Sequence, residues 1–271
     1  MLLLLDGDVI AYDSLLPRRI PGDKRFVTRL DEKGEIILPE YSDRFNREFL
    51  EGSFENMKMI ISSLKAKLYC DNVLMAVKGI GNYRDDIYED YKANRKNKPN
   101  TYPNAHMVPA LRHLAVVNNL AVAAHGREAD DLLGIWAEEC REYKVDFVVA
   151  SIDKDLLNIP GTHWKTHHKE IKEMSFNASL RFFYEQLLSG DPVDSIPGLP
   201  RIGPKKAEKF LKDFKTEEEF QEVIVEQYYE AFGENWDTYL LSNGKMLRIQ
   251  RHNDDWFTLE DWPLARELRG L

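Results

Sequence analysis

The pattern of hydrophobic and polar positions predicts alternating strands and helices in the N-terminal part of the chain. Nearly continuous apolar runs, typical of strands buried on both faces, cover residues 2–5, 72–78, 120–125 and 146–151. Apolar residues spaced three and four positions apart, typical of helices, cover residues 42–68, 108–119 and 128–143. Apolar strands that alternate with helices favour an α/β domain with a mostly parallel central sheet flanked by helices.

This pattern changes near residue 175, where we predict a domain boundary. Beyond that point the strand pattern stops, and helical spacing is interrupted only by a turn rich in proline and glycine. We therefore predict an α/β domain over residues 1–178 and a helical region over residues 179–271. Residues 26–39 alternate around a Lys-Gly turn, which predicts a hairpin inserted into the first domain.

The composition narrows the class of protein. A chain of 271 residues with 43% hydrophobic content can form one large domain, or one domain with a smaller companion. The opening run of leucines is too short to span a bilayer and lacks the basic start and cleavage site of a signal peptide. Cys70 and Cys140 lie far apart and form no metal or redox motif. We expect a cytoplasmic protein with no membrane contact.

The formal net charge of −9 argues against a general nucleic-acid binder, but the charges are unevenly distributed. Basic residues gather in residues 91–98 and 201–212, whereas acidic residues occur in short pairs. Carboxylate pairs together with two basic patches suit an enzyme that holds metal ions against a polyanion. The composition permits this interpretation and does not establish it.

Paired carboxylates follow the predicted strands or begin the predicted helices and turns. They are Asp6, Glu128, Asp130, Asp131, Asp153, Asp155, Asp191 and Asp194. Any single pair is explained as well by helix capping. If all converge at the carboxyl edge of the sheet, each close pair costs roughly 3 kcal/mol at about 5 Å and an effective dielectric near 20. Mg²⁺ or Mn²⁺ would offset this repulsion, and two such ions can promote phosphodiester cleavage.

Two further segments suggest contacts with phosphates. The segment "IPGLPRIGPKKAEKFL" contains Gly198 and Gly203 around a turn, and lysines open the helix that follows. The polar stretch 79–104 contains "YKANRKNK", with Tyr83, Tyr88 and Tyr91 available to stack on bases. The alternatives are a solvated basic helix face and an exposed loop whose charges favour solubility. The histidines of "THWKTHHKE" match no common zinc pattern, and we expect His163, His167 and His168 to be surface residues.

Together these segments resemble the 5′-nuclease superfamily, which includes flap endonucleases, the 5′-nuclease domains of bacterial DNA polymerases and phage 5′–3′ exonucleases. The resemblance rests on "LLLLDGD", "DDIYEDYKANR", "GREADDLLG", "ASIDKDLLNIPG" and "LLSGDPVDSIPGLPRIGPKKA", which occur in the family's order over residues 1–212. A chain of this length without a polymerase domain looks most like a phage-type enzyme.

The resemblance implies a PIN-like α/β domain followed by a helix-3-turn-helix module. It implies that the eight carboxylates named above bind two Mg²⁺ or Mn²⁺ ions, and that Lys92 and Arg95 meet the scissile phosphate. It places a base-stacking aromatic at Tyr91 and a potassium ion, K⁺, at the turn. Further DNA contacts fall on Lys96, Gly198, Arg201, Gly203, Lys205 and Lys206. The implied partners are DNA with 5′ ends, flaps or nicks, and RNA–DNA hybrids, bound by a monomer.

Two departures from the family pattern stand out. An acid usually follows the second strand, but this chain has Val77 and Lys78, which predicts altered metal affinity. Arg201 stands where the turn more often has glycine, and either contacts a phosphate or points to solvent. The role of Asp8, as a metal ligand or as the cap of the next helix, remains open.

Three alternatives explain parts of the sequence. A haloacid-dehalogenase-type phosphatase shares "LLLLDGD" but requires Thr or Ser soon after the second Asp, where this chain has Val9 and Ile10. A DNA-binding module that has lost catalysis would explain the missing acid. A PIN-type ribonuclease has related chemistry but is shorter and lacks the C-terminal module.

Overall fold

The structure of the protein is a computed structural model that describes residues 1–15, 29–30, 36–37, 43–96 and 104–270. Residues 29–30, 36–37, 43–46 and 95–96 are described by their backbone alone.

The elements alternate along the chain as the hydrophobic pattern predicts. The N-terminal part contains β1 (Leu2–Asp6), α1 (Gly7–Ser14), β2 (Arg29–Leu30), β3 (Ile36–Ile37), α2 (Asp43–Lys67), β4 (Asn72–Lys78), α3 (Tyr83–Ile87), α4 (Ala93–Lys96), α5 (Val108–Val117), β5 (Val122–Ala124), α6 (Ala129–Glu142), β6 (Phe147–Ser151), β7 (Gly161–Lys165) and β8 (Glu170–Met174). The C-terminal part contains α7 (Phe176–Ser189), β9 (Gly190–Asp191), β10 (Ile196–Pro197), α8 (Pro204–Leu211), α9 (Glu217–Phe232), α10 (Trp236–Leu247) and α11 (Pro263–Arg269). The predicted hairpin is present, because β2 pairs antiparallel with β3.

The central sheet has the strand order β5-β4-β1-β6-β7-β8. Every pair of neighbours is parallel except β7 and β8, which are antiparallel. Leu3, Leu4 and Leu5 of β1 are fully buried because helices cover both faces of the sheet. Leu3 and Leu5 pack with α1, α2 and α5, whereas Leu4 packs with α6. The predicted α/β fold with a mostly parallel sheet is confirmed.

Asp6, at the end of β1, caps the N-terminus of α1. Its Oδ1 accepts hydrogen bonds from the backbone N–H groups of Asp8 and Val9, at 3.1 and 3.4 Å. Gly7 is required at this turn, because a Cβ there would lie 2.6 Å from the carbonyl oxygen of Ala76. The cap of α1 is therefore Asp6 and not Asp8. Asp8 instead accepts from the backbone N–H of Lys78 at 3.0 Å.

The C-terminal helices share a separate apolar cluster. Tyr184 of α7, Phe220 and Tyr228 of α9, and Leu240 of α10 are buried within it. The predicted boundary at residue 178 falls inside α7, and the division into two domains stays a prediction.

The strand pattern does not stop completely near residue 175. The two-residue strands β9 and β10 pair antiparallel after α7. Gly190 has φ +66°, and a Cβ on Gly198 would collide with the backbone of Ser189. Glycine at both positions therefore allows this turn to lie against the end of α7.

The sequence pattern did not predict the β7–β8 hairpin, which carries part of the histidine-rich segment. His163 of β7 is buried, with Nε2 2.8 Å from the carbonyl oxygen of Ile159. Burial lowers the pKa of this imidazole. The prediction that His163 is a surface residue was therefore wrong.

Within the part of the chain that the structure describes, no helix is long and apolar enough to cross a membrane.

Candidate active site

A large cleft lies at the carboxyl edge of the sheet and has a volume of about 860 Å³. Seven of the eight predicted carboxylates line it together with Lys92, and we call it the carboxylate cleft. The seven are Asp6, Glu128, Asp130, Asp153, Asp155, Asp191 and Asp194. They meet there because β1 and β6 end at this edge, α6 begins there, and the β9–β10 turn faces it.

Two acids, one at the sheet edge and one in α6, have raised pKa values. Burial is the main cause that raises the pKa of Asp6 to about 6, and the charges of Asp8 and Asp153 add to it. Ser151 opposes this rise by donating a hydrogen bond from Oγ to Asp6 Oδ2 at 2.6 Å. Burial and the charges of Asp6 and Asp153 also raise the pKa of Asp130. These acids are held close enough for ionisation of one to hinder ionisation of the next.

A second set of acids includes Asp155 and Asp191. Burial, followed by the charges of Asp153 and Asp191, raises the pKa of Asp155 to about 7. Gln186 of α7 donates to Asp155 Oδ1 at 2.6 Å. Lys154 Nζ lies 3.1 Å from Asp191 Oδ2 and 4.0 Å from Asp155 Oδ1. A lysine therefore offsets part of the negative charge in this set.

Lys92 contacts acids from two different segments. Its Nζ forms an ion pair with Glu128 and lies 3.6 Å from Asp194 Oδ2. Its backbone N–H donates to the carbonyl oxygen of Asp194 at 2.9 Å, and its φ is +57°. Burial opposes ionisation of Glu128, but Arg84 and Lys92 outweigh it and lower the pKa of this carboxyl group. Lys92 thus stands inside the cleft, within reach of any group bound between these acids.

Tyr91 does not have the environment predicted for it. Its side chain is 2% exposed and packs in the apolar cluster of the C-terminal helices. The phenol donates to Glu128 Oε2 at 3.1 Å. The ring is not open for stacking on a base in this structure, although Tyr91 is among the residues that line the cleft, and its contact with Glu128 orients that acid.

Asp131 is the predicted ligand that does not line the cleft. It is fully buried and accepts two hydrogen bonds from Arg84, at 2.6 and 2.9 Å. It also accepts from the backbone N–H groups of Glu128 and Gln250, each at 3.1 Å. Its lone pairs are therefore used, and the prediction that Asp131 binds metal is withdrawn.

Arg84 joins this acid to the C-terminal region. It donates from Nε to the carbonyl oxygen of Met246 at 2.8 Å and from Nη2 to that of Arg248 at 2.6 Å. We call Arg84, Asp131 and the backbone groups of residues 246–250 the Arg84 junction. Sequence reasoning missed Arg84, although its place in the segment before Tyr91 was a signal.

Val77 and Lys78 occupy the stretch where the family usually has an acid, and their side chains have different environments. Val77 is fully buried in the apolar cluster with α1, α2 and α5, whereas Lys78 is exposed and lines the cleft. A carboxylate introduced at position 77 would enter that apolar cluster and would be costly to bury. Val77→Asp is therefore a test of folding more than of metal affinity.

The predicted DNA contacts lie on exposed segments where the structure describes them. Arg201 is exposed with φ +65°, a left-handed conformation that explains why glycine suits this position. Gly203 precedes α8, and Lys205 and Lys206 are exposed in its first turn. The side chains of Arg95 and Lys96, at the end of α4, lie outside the described side chains.

The donors of the carboxylate cleft suit a hard divalent cation in their chemistry. All the acids that line it offer oxygen, and the pKa values of Asp6, Asp130 and Asp155 are raised first by burial and then by the charges of neighbouring acids, which bound cations would offset. Among the residues described by the structure, however, no three such side chains form a ready-made metal-binding group. Lys92 and Lys154 pair with the acids instead.

Comparisons with known proteins agree on one family. Residues 44–182 match the model described as 5′-3′ exonuclease, N-terminal resolvase-like domain. The chain is 30% identical over 183 residues to DNA polymerase I of Rhizobium leguminosarum, covering 62% of this chain and 17% of that protein. It is 32% identical over 144 residues to Flap endonuclease Xni of Shewanella woodyi, covering 49% of this chain and 56% of that protein. The chain thus spans less than two thirds of the length of these relatives.

Solved structures share the fold. The bacteriophage T5 flap endonuclease, crystallised as a pseudo-enzyme-product complex with DNA and metal ions, matches with a TM-score of 0.60 and 14% identity, over 91% of this chain and 88% of that one. The T5 5′-exonuclease with bound zinc matches with a TM-score of 0.56 and 14% identity, over 91% and 86%. At this identity the likeness concerns the fold alone.

Proposed function

The chain belongs to the family of 5′–3′ exonucleases with the N-terminal resolvase-like domain, and from that membership we propose that it is a divalent-metal-dependent 5′ nuclease. It hydrolyses phosphodiester bonds of DNA that carries 5′ ends, flaps or nicks, and of RNA–DNA hybrids. The single observation that carries the proposal is the convergence of seven carboxylates and Lys92 on one cleft at the sheet edge.

Two sets of acids would hold the cations. Asp6, Asp130 and Asp153 would hold one Mg²⁺ or Mn²⁺, and Asp155, Asp191 and Asp194 the other, with Glu128 between them. When bound, two such ions supply Lewis acidity and lower the pKa of a water molecule. Their binding would offset the charges of neighbouring acids, which add to burial in raising the pKa values of Asp6, Asp130 and Asp155.

The remaining polar residues orient these acids. Ser151 and Gln186 each donate a hydrogen bond of 2.6 Å, to Asp6 and Asp155 respectively, and fix one oxygen of each carboxylate. Asn82 donates to Glu128 Oε1 at 3.0 Å from the start of α3. Such donors fix the orientation of the acids toward a ligand.

Lys92 would neutralise the scissile phosphate. Its ammonium group now pairs with Glu128 and Asp194, and cations bound at those acids would release it toward an anionic substrate. Arg95, three residues further along the chain, is proposed to assist it. Concentrating positive charge on the phosphate lowers the barrier to hydrolysis, because negative charge develops there in the transition state.

The turn between α7 and α8 would bind the duplex. Gly203 leaves open space at the start of α8, and Gly198 lets the turn lie against the end of α7. Arg201, Lys205 and Lys206 are exposed, and Gly198 and Lys96 are proposed to contribute further contacts. Backbone amides and lysines at a helix start attract phosphates, and backbone carbonyls of such a turn can bind K⁺. The free thiols of Cys70 and Cys140 are buried, which supports action in a reducing cytoplasm. We propose that the protein acts there as a monomer.

The proposal is tested with a 5′-flap duplex labelled at either end, incubated with Mg²⁺ or with EDTA. Cleavage near the flap junction that requires the metal supports the proposal and indicates endonuclease character. Stepwise release of short 5′ products, also dependent on metal, supports a mainly exonucleolytic enzyme. Binding in Ca²⁺ without cleavage in Mg²⁺ or Mn²⁺ overturns the proposal in favour of a DNA-binding module without catalysis.

A further inference from the structure

Trp256 is an exposed aromatic residue beside the carboxylate cleft. Its side chain is 46% exposed, whereas the neighbouring Phe257 is buried in the core of the C-terminal helices. The proposed function makes no use of this residue, and burial of Tyr91 leaves that function without the stacking aromatic expected of it.

The backbone around Trp256 is fixed on both sides. Asp255, immediately before it, is buried and accepts from Arg248 at 3.0 Å and from the backbone N–H of Arg251 at 2.8 Å. Phe257, immediately after it, packs edge to face against Trp262, with ring centroids 5.5 Å apart. An exposed side chain between two buried anchors loses little conformational entropy when it binds a ligand.

The ring of Trp256 is itself supported. It packs against Tyr83 with centroids 4.9 Å apart and an angle of 87° between the planes. The backbone N–H of Tyr83 donates to the carbonyl oxygen of Gly126 at 3.1 Å, which ties it to the segment that leads into α6. Tyr83 thus positions the indole, while nearly half of the Trp256 side chain remains open to solvent.

A basic residue links this ring to the cleft. Arg127 lines the cleft and donates from Nη1 to Asn253 Oδ1 at 3.0 Å, three residues before Trp256. Asn82 and Arg84, on either side of Tyr83, also line the cleft. A strand that leaves the cleft on this side would meet a guanidinium group and then a partly exposed indole ring.

We propose that Trp256, supported by Tyr83 and Arg127, is a stacking platform for an unpaired nucleobase of single-stranded DNA. The chemistry is complementary: an indole stacks on any base regardless of sequence, and a nearby arginine attracts the phosphates. The inference rests on the proposed function, because it names where the single strand of a 5′ flap contacts the protein. It therefore gives the enzyme a preference for substrates with an unpaired 5′ strand.

Tryptophan fluorescence tests the platform directly. Of the five tryptophans, Trp164, Trp236 and Trp262 are buried and Trp136 is half-buried, so Trp256 is the one that a bound base can quench. A short oligothymidylate is titrated into the full chain in EDTA, where no metal-dependent cleavage occurs. We expect saturable quenching in the wild type and its loss in Trp256→Phe, with affinity kept because a phenyl ring still stacks.

Affinity is measured in parallel by anisotropy of the labelled oligothymidylate. Trp256→Ala should bind about 5- to 100-fold more weakly, the range expected for loss of one base–aromatic stack. Tyr229→Ala removes a similarly exposed aromatic residue on α9, and its affinity should match the wild type. Thermal unfolding of each variant establishes that it is folded, and Trp256→Phe remains informative if Trp256→Ala is not.

The outcomes separate this proposal from the proposed function. Unchanged fluorescence on binding, or equal affinities of the wild type and Trp256→Ala, overturns the platform even if the flap duplex is cleaved. Quenching and a loss of affinity in Trp256→Ala support the platform even if no metal produces cleavage, in which case the hydrolytic function fails alone.

Discussion

Asp130 and Asp131 are neighbours at the start of α6, but their side chains lie in two regions with opposite electrostatics. Asp130 faces the carboxylate cleft, where burial and the charges of Asp6 and Asp153 raise its pKa. Asp131 points into the Arg84 junction, where a guanidinium group and two backbone N–H groups compensate its charge. Neighbouring acids can therefore differ in role: Asp131 is buried against its own basic partner, whereas Asp130 faces a cleft crowded with like charges.

The largest effect that follows from this comparison is a loss of stability at the Arg84 junction. Asp131→Ala should lower the free energy of unfolding by about 3–5 kcal/mol, because it leaves the guanidinium group of Arg84 buried without its counter-ion. Urea denaturation measures it, with Asp213→Ala, at an exposed acid, as the matched control. A loss below about 1 kcal/mol would contradict the structural role given to Asp131.

Asp130→Asn should have the converse effect. Removing a proposed metal ligand should reduce single-turnover cleavage at least about a hundredfold, or about 3 kcal/mol in the barrier. The metal-free protein should be as stable as the wild type or more so, because one like charge leaves the cluster. Cleavage at the wild-type rate would contradict the role of Asp130 as a metal ligand. A large loss of stability would contradict the proposed difference between Asp130 and Asp131.

The stability of the metal-free protein should depend on pH in the direction that the cleft dictates. The pKa values of Asp6 and Asp155 are raised in the folded state to about 6 and about 7, so the folded protein binds protons more readily than the unfolded chain. Stability should therefore increase, by up to about 4 kcal/mol, as the pH falls from about 7.5 to about 5. Denaturation in EDTA across this range measures it, and a decrease in stability over the same range would contradict it.

Tyr91→Phe should have the smallest effect. It removes the hydrogen bond to Glu128 but keeps the buried ring, so the free energy of unfolding should fall by about 1 kcal/mol. Affinity for single-stranded DNA should not change, because the ring is buried. A marked loss of affinity for single-stranded DNA, measured in Ca²⁺, would indicate that Tyr91 contacts the substrate. It would also weaken the assignment of stacking to Trp256.

The regular elements and the convergence of the acids were predictable from the sequence. The apolar runs of β1, β4 and β6 are nearly continuous because both faces of the sheet are covered, and acids that follow such strands share one edge. The β7–β8 hairpin was missed because its strands mix polar and apolar residues without regular alternation. Its edge position leaves part of the hairpin exposed, which weakens the hydrophobic signal.

The partners of individual side chains were not predictable. Arg84 is 47 residues from Asp131 in sequence and 162 residues from Met246, and no local pattern signals contacts at such separations. Tyr91 is buried in an apolar cluster formed by α7 and later helices, which lie far along the chain from it. Periodicity reports which face of an element is apolar, but it does not report which distant element covers that face.

The Arg84 junction also bears on attempts to reduce the protein to a minimal fragment. A piece trimmed to the family-matched residues 44–182 would lose β1 with Asp6, and also the carbonyl oxygens of Met246 and Arg248. The ion pair between Arg84 and Asp131 would remain, but it would be exposed to solvent together with the N-terminus of α6, which Glu128 caps. Residues 246–250 lie outside the family-matched segment, but their backbone groups hold Arg84 and Asp131 in place. A shortened version of the protein designed for engineering would have to retain these residues or replace their hydrogen bonds.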